Sequence, residues 1–239
     1  VTCVLVTPWW RRRVAGDGSA AGGVAPTAIL DWRDPSVRSL ARATSSEDRL
    51  AGLRAAHLVI AGAVRPGYAV RERQPISRTL RRGRGSCSQR LAILEGVARA
   101  QGVPTRVRGL LVDGRFWYPR FPRAKFLVPS RVLVAWPEFR VDDAWVPVGE
   151  LFGLLPELAA GPGFSNDGGE TLFDAVSRTA IDWDGVTCGT GGACDLSATV
   201  LADLGRFDSR DELFRRHGQT LSGPVTRLVD PVLSRCAPS

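Results

Sequence analysis

The stretch Gly85-Ser86-Cys87-Ser88-Gln89-Arg90-Leu91-Ala92-Ile93-Leu94-Glu95-Gly96-Val97-Ala98-Arg99-Ala100-Gln101-Gly102-Val103-Pro104-Thr105 decides how this chain folds. Cys87, Leu91, Leu94 and Ala98 recur at the three- and four-residue steps of one helical face. Gly102 and Pro104 then stop the helix. A cysteine in the first turn of a helix meets open backbone N–H groups and the positive end of the helix dipole, both of which favour the thiolate. Gly83 and Gly85 allow a sharp turn that leaves the sulfur open, and the same N–H groups suit the oxyanion of a tetrahedral intermediate. Ser86, Ser88 and Gln89 are more polar than a cysteine plugging a helix end would need. Cys87 is therefore the expected nucleophile.

Outward from this helix the pattern alternates. Asp34-Pro35 reads as a helix start. A second helix follows Ser45-Ser46 with Glu47 and Asp48 in its first turn, and Leu50, Leu53, His57, Ile60, Ala61 and Val64 line its apolar face. Pro66-Gly67 should end it. Gly16 to Pro26 reads as a flexible lead-in, and Arg71 to Arg84 as a polar surface run. After the Cys87 helix, Thr105 to Val112 is β-branched and reads as a strand. Asp113-Gly114 reads as a tight turn into a return strand over Arg115 to Tyr118. Pro119, Pro122 and Pro129 bound an irregular segment. Arg131 to Val141 and Ala144 to Val148 read as antiparallel strands joined at Asp142-Asp143. Residues 151–239 mix short helices with Gly-rich loops. The fold class expected is α+β, one elaborated domain over 1–239 with a helical part (1–70), a core (71–150) and a covering segment (151–239).

The composition narrows the function. Of 239 residues 44% are hydrophobic and 23% charged, ordinary for a globular protein. No apolar run reaches the roughly 18 residues of a membrane span. Trp9-Trp10 precedes Arg11-Arg12-Arg13, the reverse of a signal peptide's order, so the cytoplasm is the expected compartment. The net charge is +8, and Lys125 is the single lysine among 32 basic residues, an imbalance that a GC-rich coding sequence would produce. Such a field steers acidic partners, an acidic acyl-carrier protein among them. The arginines are scattered and accompany no nucleic-acid-binding pattern, so nucleic acid is not expected. Cysteines stand at 3, 87, 188, 194 and 236. An odd count in that compartment argues against a disulfide framework. Cys188 and Cys194 flank a Gly-rich loop with no histidine close by, so a structural loop is expected rather than a metal site. That loop also lacks the Lys and Ser/Thr of a phosphate-binding loop. No cofactor is expected.

Gly85-Ser86-Cys87, its helix, and the run Gly102-Val103-Pro104-Thr105-Arg106 closely resemble the transglutaminase-like core of the papain-type thiol proteins. Ala135-Trp136 and Trp145-Val146-Pro147-Val148 resemble that family's later strands, and Tyr68 is also in place; the likeness covers about Ala55 to Glu150. It implies a Cys helix packed on an antiparallel sheet. The family's histidine and aspartate would fall at Val134 and Gly149, neither of which can accept a proton. A relay would have to be rebuilt, and His57 and His217 are the only imidazoles. His57 lies on an apolar helix face, where a core role is the plainer reading. His217 ends a helix before Gly218, where a cation suits the dipole, yet its tail could fold back over the site. Asp113 is a third candidate: the helix descends roughly 21 Å and the strand climbs back roughly 23 Å, returning Asp113 to the level of Cys87. Phe116, Trp117 and Tyr118 could wall an acyl pocket.

Within the family, a Gly-Ser-Cys-Ser-Gln-Arg turn without the histidine resembles the Dieckmann-type cyclases of tetramate and pyridone biosynthesis. The expected activity is acyl transfer from a small-molecule or carrier-bound thioester to Cys87, with Asp113 and His217 assisting and release by intramolecular carbon attack. A carbon already acidified by two carbonyls asks less of a protein base than water does. The alternatives are a non-catalytic interaction module and an amide-forming or peptide-cleaving thiol enzyme.

Overall fold

The computed structural model describes residues 20–67, 71–122, 125–164, 166–186 and 194–218. In chain order the elements are α1 (Pro35–Ala43), α2 (Arg49–Ala63), β1 (Arg65–Pro66), α3 (Ile76–Arg82), β2 (Arg84–Gly85), α4 (Cys87–Ala100), β3 (Thr105–Asp113), β4 (Arg131–Val141), β5 (Ala144–Pro147), α5 (Leu155–Leu158), α6 (Leu172–Ala175), β6 (Val200–Phe207) and α7 (Arg210–His217). Strands β5-β4-β3-β6 form one antiparallel sheet, while β1 and β2 make a two-residue parallel pair. The fold is α+β, as the sequence implies. Helix α4 is its axis, with every residue from Gln89 to Arg99 buried. It packs against α1, α2, α3, α6 and β4.

Local chemistry sets the boundaries. Asp34 caps α1 by accepting from the Ser36 N–H at 3.0 Å, with Pro35 in the first turn. Asp48 lies one position outside α2 and caps it, rather than sitting within its first turn. Leu53, His57, Ile60 and Val64 are buried, as their spacing predicts. Ser86 and Gln89 close a reciprocal capping box at the start of α4. Between β4 and β5, Asp142 and Asp143 both take positive φ, 49° and 63°, the twist that a two-residue hairpin needs.

Four expectations are overturned. The polar run Arg71 to Arg84 holds α3, whose Ile76, Ser77 and Thr79 are buried; left-handed Gly83 (φ 59°) ends it. Its arginines disguised three inward positions. Arg115 to Tyr118 is no strand but part of a 3-10 turn, Gly114–Arg120, capped by Asp113. The return strand is β4, which pairs Arg131 with Asp113 and Phe139 with Thr105. The lead-in is strapped down where it is described: Gly23 bridges Thr105, and Arg99 donates to the Ala25 carbonyl at 2.8 Å. Its residues 16–19 lie outside the described residues. Finally, the covering segment contributes a strand, β6, paired with β3 from Val107↔Phe207 to Val112↔Val200.

Candidate active site

Cys87 occupies the first position of α4, and its backbone setting follows from its neighbours. Gly85 must be small, because a Cβ there would stand 2.7 Å from Thr79 Cγ2. Gln89 caps the helix and anchors it to the preceding segment by donating to the Arg71 carbonyl at 3.0 Å. The thiol is free and half-buried. Covering it is the start of α6. The Phe173 backbone N–H points to the sulfur, and Arg90, Asp174 and Arg120 supply the charges acting on it. Arg90, one turn along α4, grips Asp174 through two nitrogens at 2.8 and 3.1 Å and lies 4.2 Å above the Phe173 ring. Burial dominates this balance. It pushes the thiol up to about 12, beyond what Arg90, the Phe173 amide and Arg120 pull back, and Asp174 adds to the rise. The sulfur is a protonated thiol at neutral pH, not the thiolate expected from its helix position.

His57 enters the same site from α2. Its ring stacks on Phe173 at 4.2 Å and meets the Phe152 edge at 5.0 Å. Nε2 lies 2.6 Å from the Phe173 carbonyl oxygen, an acceptor, so Nε2 carries the hydrogen. Burial, then the Arg90 charge, holds its pKa below the usual histidine range despite the Phe173 carbonyl and Asp174, so the ring is neutral at pH 7. The Phe173 backbone thus faces Cys87 with its N–H and His57 with its carbonyl.

The other two predicted residues lie in different surroundings. Asp113 accepts from the Arg115 N–H at 2.8 Å and pairs with its guanidinium at 2.6 Å, which holds the carboxyl below its ordinary range. His217 is buried with its ring edge-on to Phe207 at 5.4 Å, in the last turn of α7 before Gly218. The groups acting most on the Cys87 sulfur are instead Arg90, Phe173, Asp174 and Arg120. Val134 pairs with Leu110 within the sheet, and Gly149 follows β5 with the Trp136 ring 3.4 Å from where its Cβ would be. Phe116 and Trp117 pack edge-on at 4.7 Å, and Phe116 continues toward Phe164 and Trp183, which belong to the core. Tyr118 stands apart, 5.9 Å from the Lys125 ammonium.

Sequence reading missed Asp174 and the buried charges beneath the site. Thr171-x-x-Asp174 is a capping-box signature, but nothing local couples it to Arg90. Behind Ser88, Arg210 of α7 pairs with Glu95 of α4 in full burial and donates to Ser88 Oγ at 2.9 Å and the Ala135 carbonyl at 3.2 Å. Burial raises the carboxyl pKa of Glu95 against the pull of Arg210, and also that of Glu72, which bonds Ser88. Cys194 is disulfide-bonded, against the expectation that disulfides are absent; Cys188 and Tyr68 lie outside the described residues. Among the described residues no group of His, Cys, Asp and Glu is placed to hold a metal, and no helix is long and apolar enough to cross a membrane.

A cysteine opens a buried helix, and antiparallel strands β3, β4 and β5 follow it. Residues 38–149 match the model of the Transglutaminase-like superfamily. A search of curated proteins found no match to the chain.

Proposed function

We propose that the protein transfers an acyl group from a thioester to Cys87 and releases it by carbon attack within the substrate. The observation that carries this reading is the placement of Cys87, the free thiol at the start of the family's helix, beneath the Phe173 N–H and beside Arg90. In the first step the sulfur attacks the thioester carbonyl; its proton leaves with the departing thiol. In the second the carbon flanked by two carbonyls gives up a proton and attacks the acyl-Cys87 carbonyl, a carbon–carbon bond closes the ring as the C–S bond breaks, and the departing Cys87 thiolate takes up one proton in place of the one released. Val134 and Gly149 offer no group to activate water, which favours ring closure over hydrolysis. The net charge of +8 suits an acidic carrier protein as acyl donor. The assignments of Asp113 and His217 as assisting groups belong to the same proposal, with substrate binding required to bring them to the sulfur. The test offers a β-ketoacyl-aminoacyl thioester and weighs the product. A ring one water lighter than the free acid, absent with Cys87→Ala, supports the reading; the free acid alone refutes it.

One observation favours a second reading, a non-catalytic interaction module: the thiol is covered by α6 and held protonated. Under that reading no thioester yields a Cys87-dependent product, and the α6 contacts serve only stability.

A further inference from the structure

Away from Cys87, a cleft of about 480 Å³ opens between α1 and the far end of α4, lined by Trp32, Arg33, Arg38, Arg42, Ser45 and Gln101 over a floor of Ala41 and Ala100. Gln101 stands fourteen residues along the helix from Cys87, roughly 21 Å away, so the cleft is separate from the thiol site. Its three arginines are exposed, and no carboxylate among the described residues pairs with any of them. The carboxylate next to the rim, Asp34, is taken by Ser36 and by Arg81 at 2.8 Å. Arg38 and Arg42 are one turn apart on α1, a like-charge pair that destabilises the helix.

Helix dipoles do not account for this charge. The C-termini of α1 and α4 both end at the cleft, and each contributes roughly half a negative charge. Together they offset about one of the three guanidinium charges and leave about +2 uncompensated. A dianion restores neutrality, and guanidinium forks match phosphate oxygens in pairs. The volume lies within the range of small-molecule pockets, roughly 300–1,000 Å³. Trp32 adds an indole on which a planar ring could rest, with Arg33 already 5.7 Å over it.

From this geometry we propose that the α1–α4 cleft is a binding site for a small organic or inorganic phosphate carrying at least two negative charges. The proposal stands independently of the acyl-transfer reading. Its test is calorimetric titration of the full chain, at physiological ionic strength, with inorganic pyrophosphate in one arm and adenosine diphosphate in the other. Saturable binding of either supports the site. Equal affinities identify phosphate alone as the recognised group, whereas tighter nucleotide binding that Trp32→Phe selectively weakens identifies a nucleotide. Arg38→Ala with Arg42→Ala should weaken binding at least tenfold while the melting temperature stays near that of the parent. Arg131→Ala removes an exposed arginine that does not line the cleft and should leave binding unchanged. Absence of saturable binding, or equal losses from Arg131→Ala and the cleft pair, overturns the proposal.

Discussion

At Cys87 two opposed influences meet, and their sizes decide the outcome. Helix-start N–H groups and Arg90 favour the thiolate, yet burial beneath α6 outweighs them and sets the thiol near 12. Alkylation should therefore be slow at pH 7 and rise about tenfold per pH unit well into the alkaline range. Asp174→Asn removes a charge that raises the thiol and releases Arg90 toward the sulfur, so alkylation at pH 8 should quicken; a slower rate would show that the carboxylate does not act on Cys87. The histidines separate by a different measurement. His57→Ala opens a buried space against Phe173 and should lower the melting temperature. His217→Ala should do so too, given its burial on Phe207, but a loss of turnover beyond the unfolded fraction marks whichever ring serves the chemistry. If neither variant loses turnover per folded molecule, no histidine takes part, and Asp113→Asn becomes the decisive variant.

Among the elements, α7 is bound to α4 by charge rather than by apolar contact alone. Arg210 and Glu95 are 1% and 0% exposed. Removing one partner strands the other's charge in the core, so Arg210→Ala should cost about 3–5 kcal/mol in denaturant unfolding. Replacing both, as Arg210→Met with Glu95→Leu, should recover most of that loss, since the desolvation penalty disappears with the pair. Legibility at this scale depended on where the deciding contacts lay. Helix α4 announced itself through Ser86, its apolar steps and Gly102, all within one stretch of chain. The β4–β5 hairpin did the same through Asp142-Asp143. Helix α3 did not, because Arg78, Arg81 and Arg82 equal its three inward residues in number and two of those three, Ser77 and Thr79, are polar. Arg115 to Tyr118 reads as a strand, because Phe116, Trp117 and Tyr118 suit a sheet by propensity, while Asp113 caps a helix-like turn over Gly114–Arg120 instead. Asp174 and Phe173 reach Cys87 from more than eighty residues away, and no local pattern encodes such a meeting.

For the whole molecule, acid is the condition that tests how these parts add up. His57 protonates less readily folded than unfolded, so its contribution to stability is complete above about pH 6.5 and drains as pH falls toward its lower folded pKa. Asp174, held low chiefly through Arg90 against the cost of burial, adds a second loss below about pH 4. Glu95 and Glu72 work the other way: raised by burial, they stabilise most at low pH and less as pH climbs through their folded values. Chemical denaturation at pH 7.5 and 5.5 should therefore show a drop that His57→Gln reduces; an unchanged drop would remove His57 as its source. The sheet carries a further consequence. Strand β6 lies beyond Gly149, outside the superfamily match, yet it is hydrogen-bonded along β3. A chain cut at that boundary would bare a row of unpaired N–H and C=O groups on β3, a template for a strand from another molecule. Light scattering should find such a fragment self-associating, while a chain continued through Gly218 keeps the size of the full protein. The limits of the family likeness are therefore not the limits of a unit that can live alone in solution.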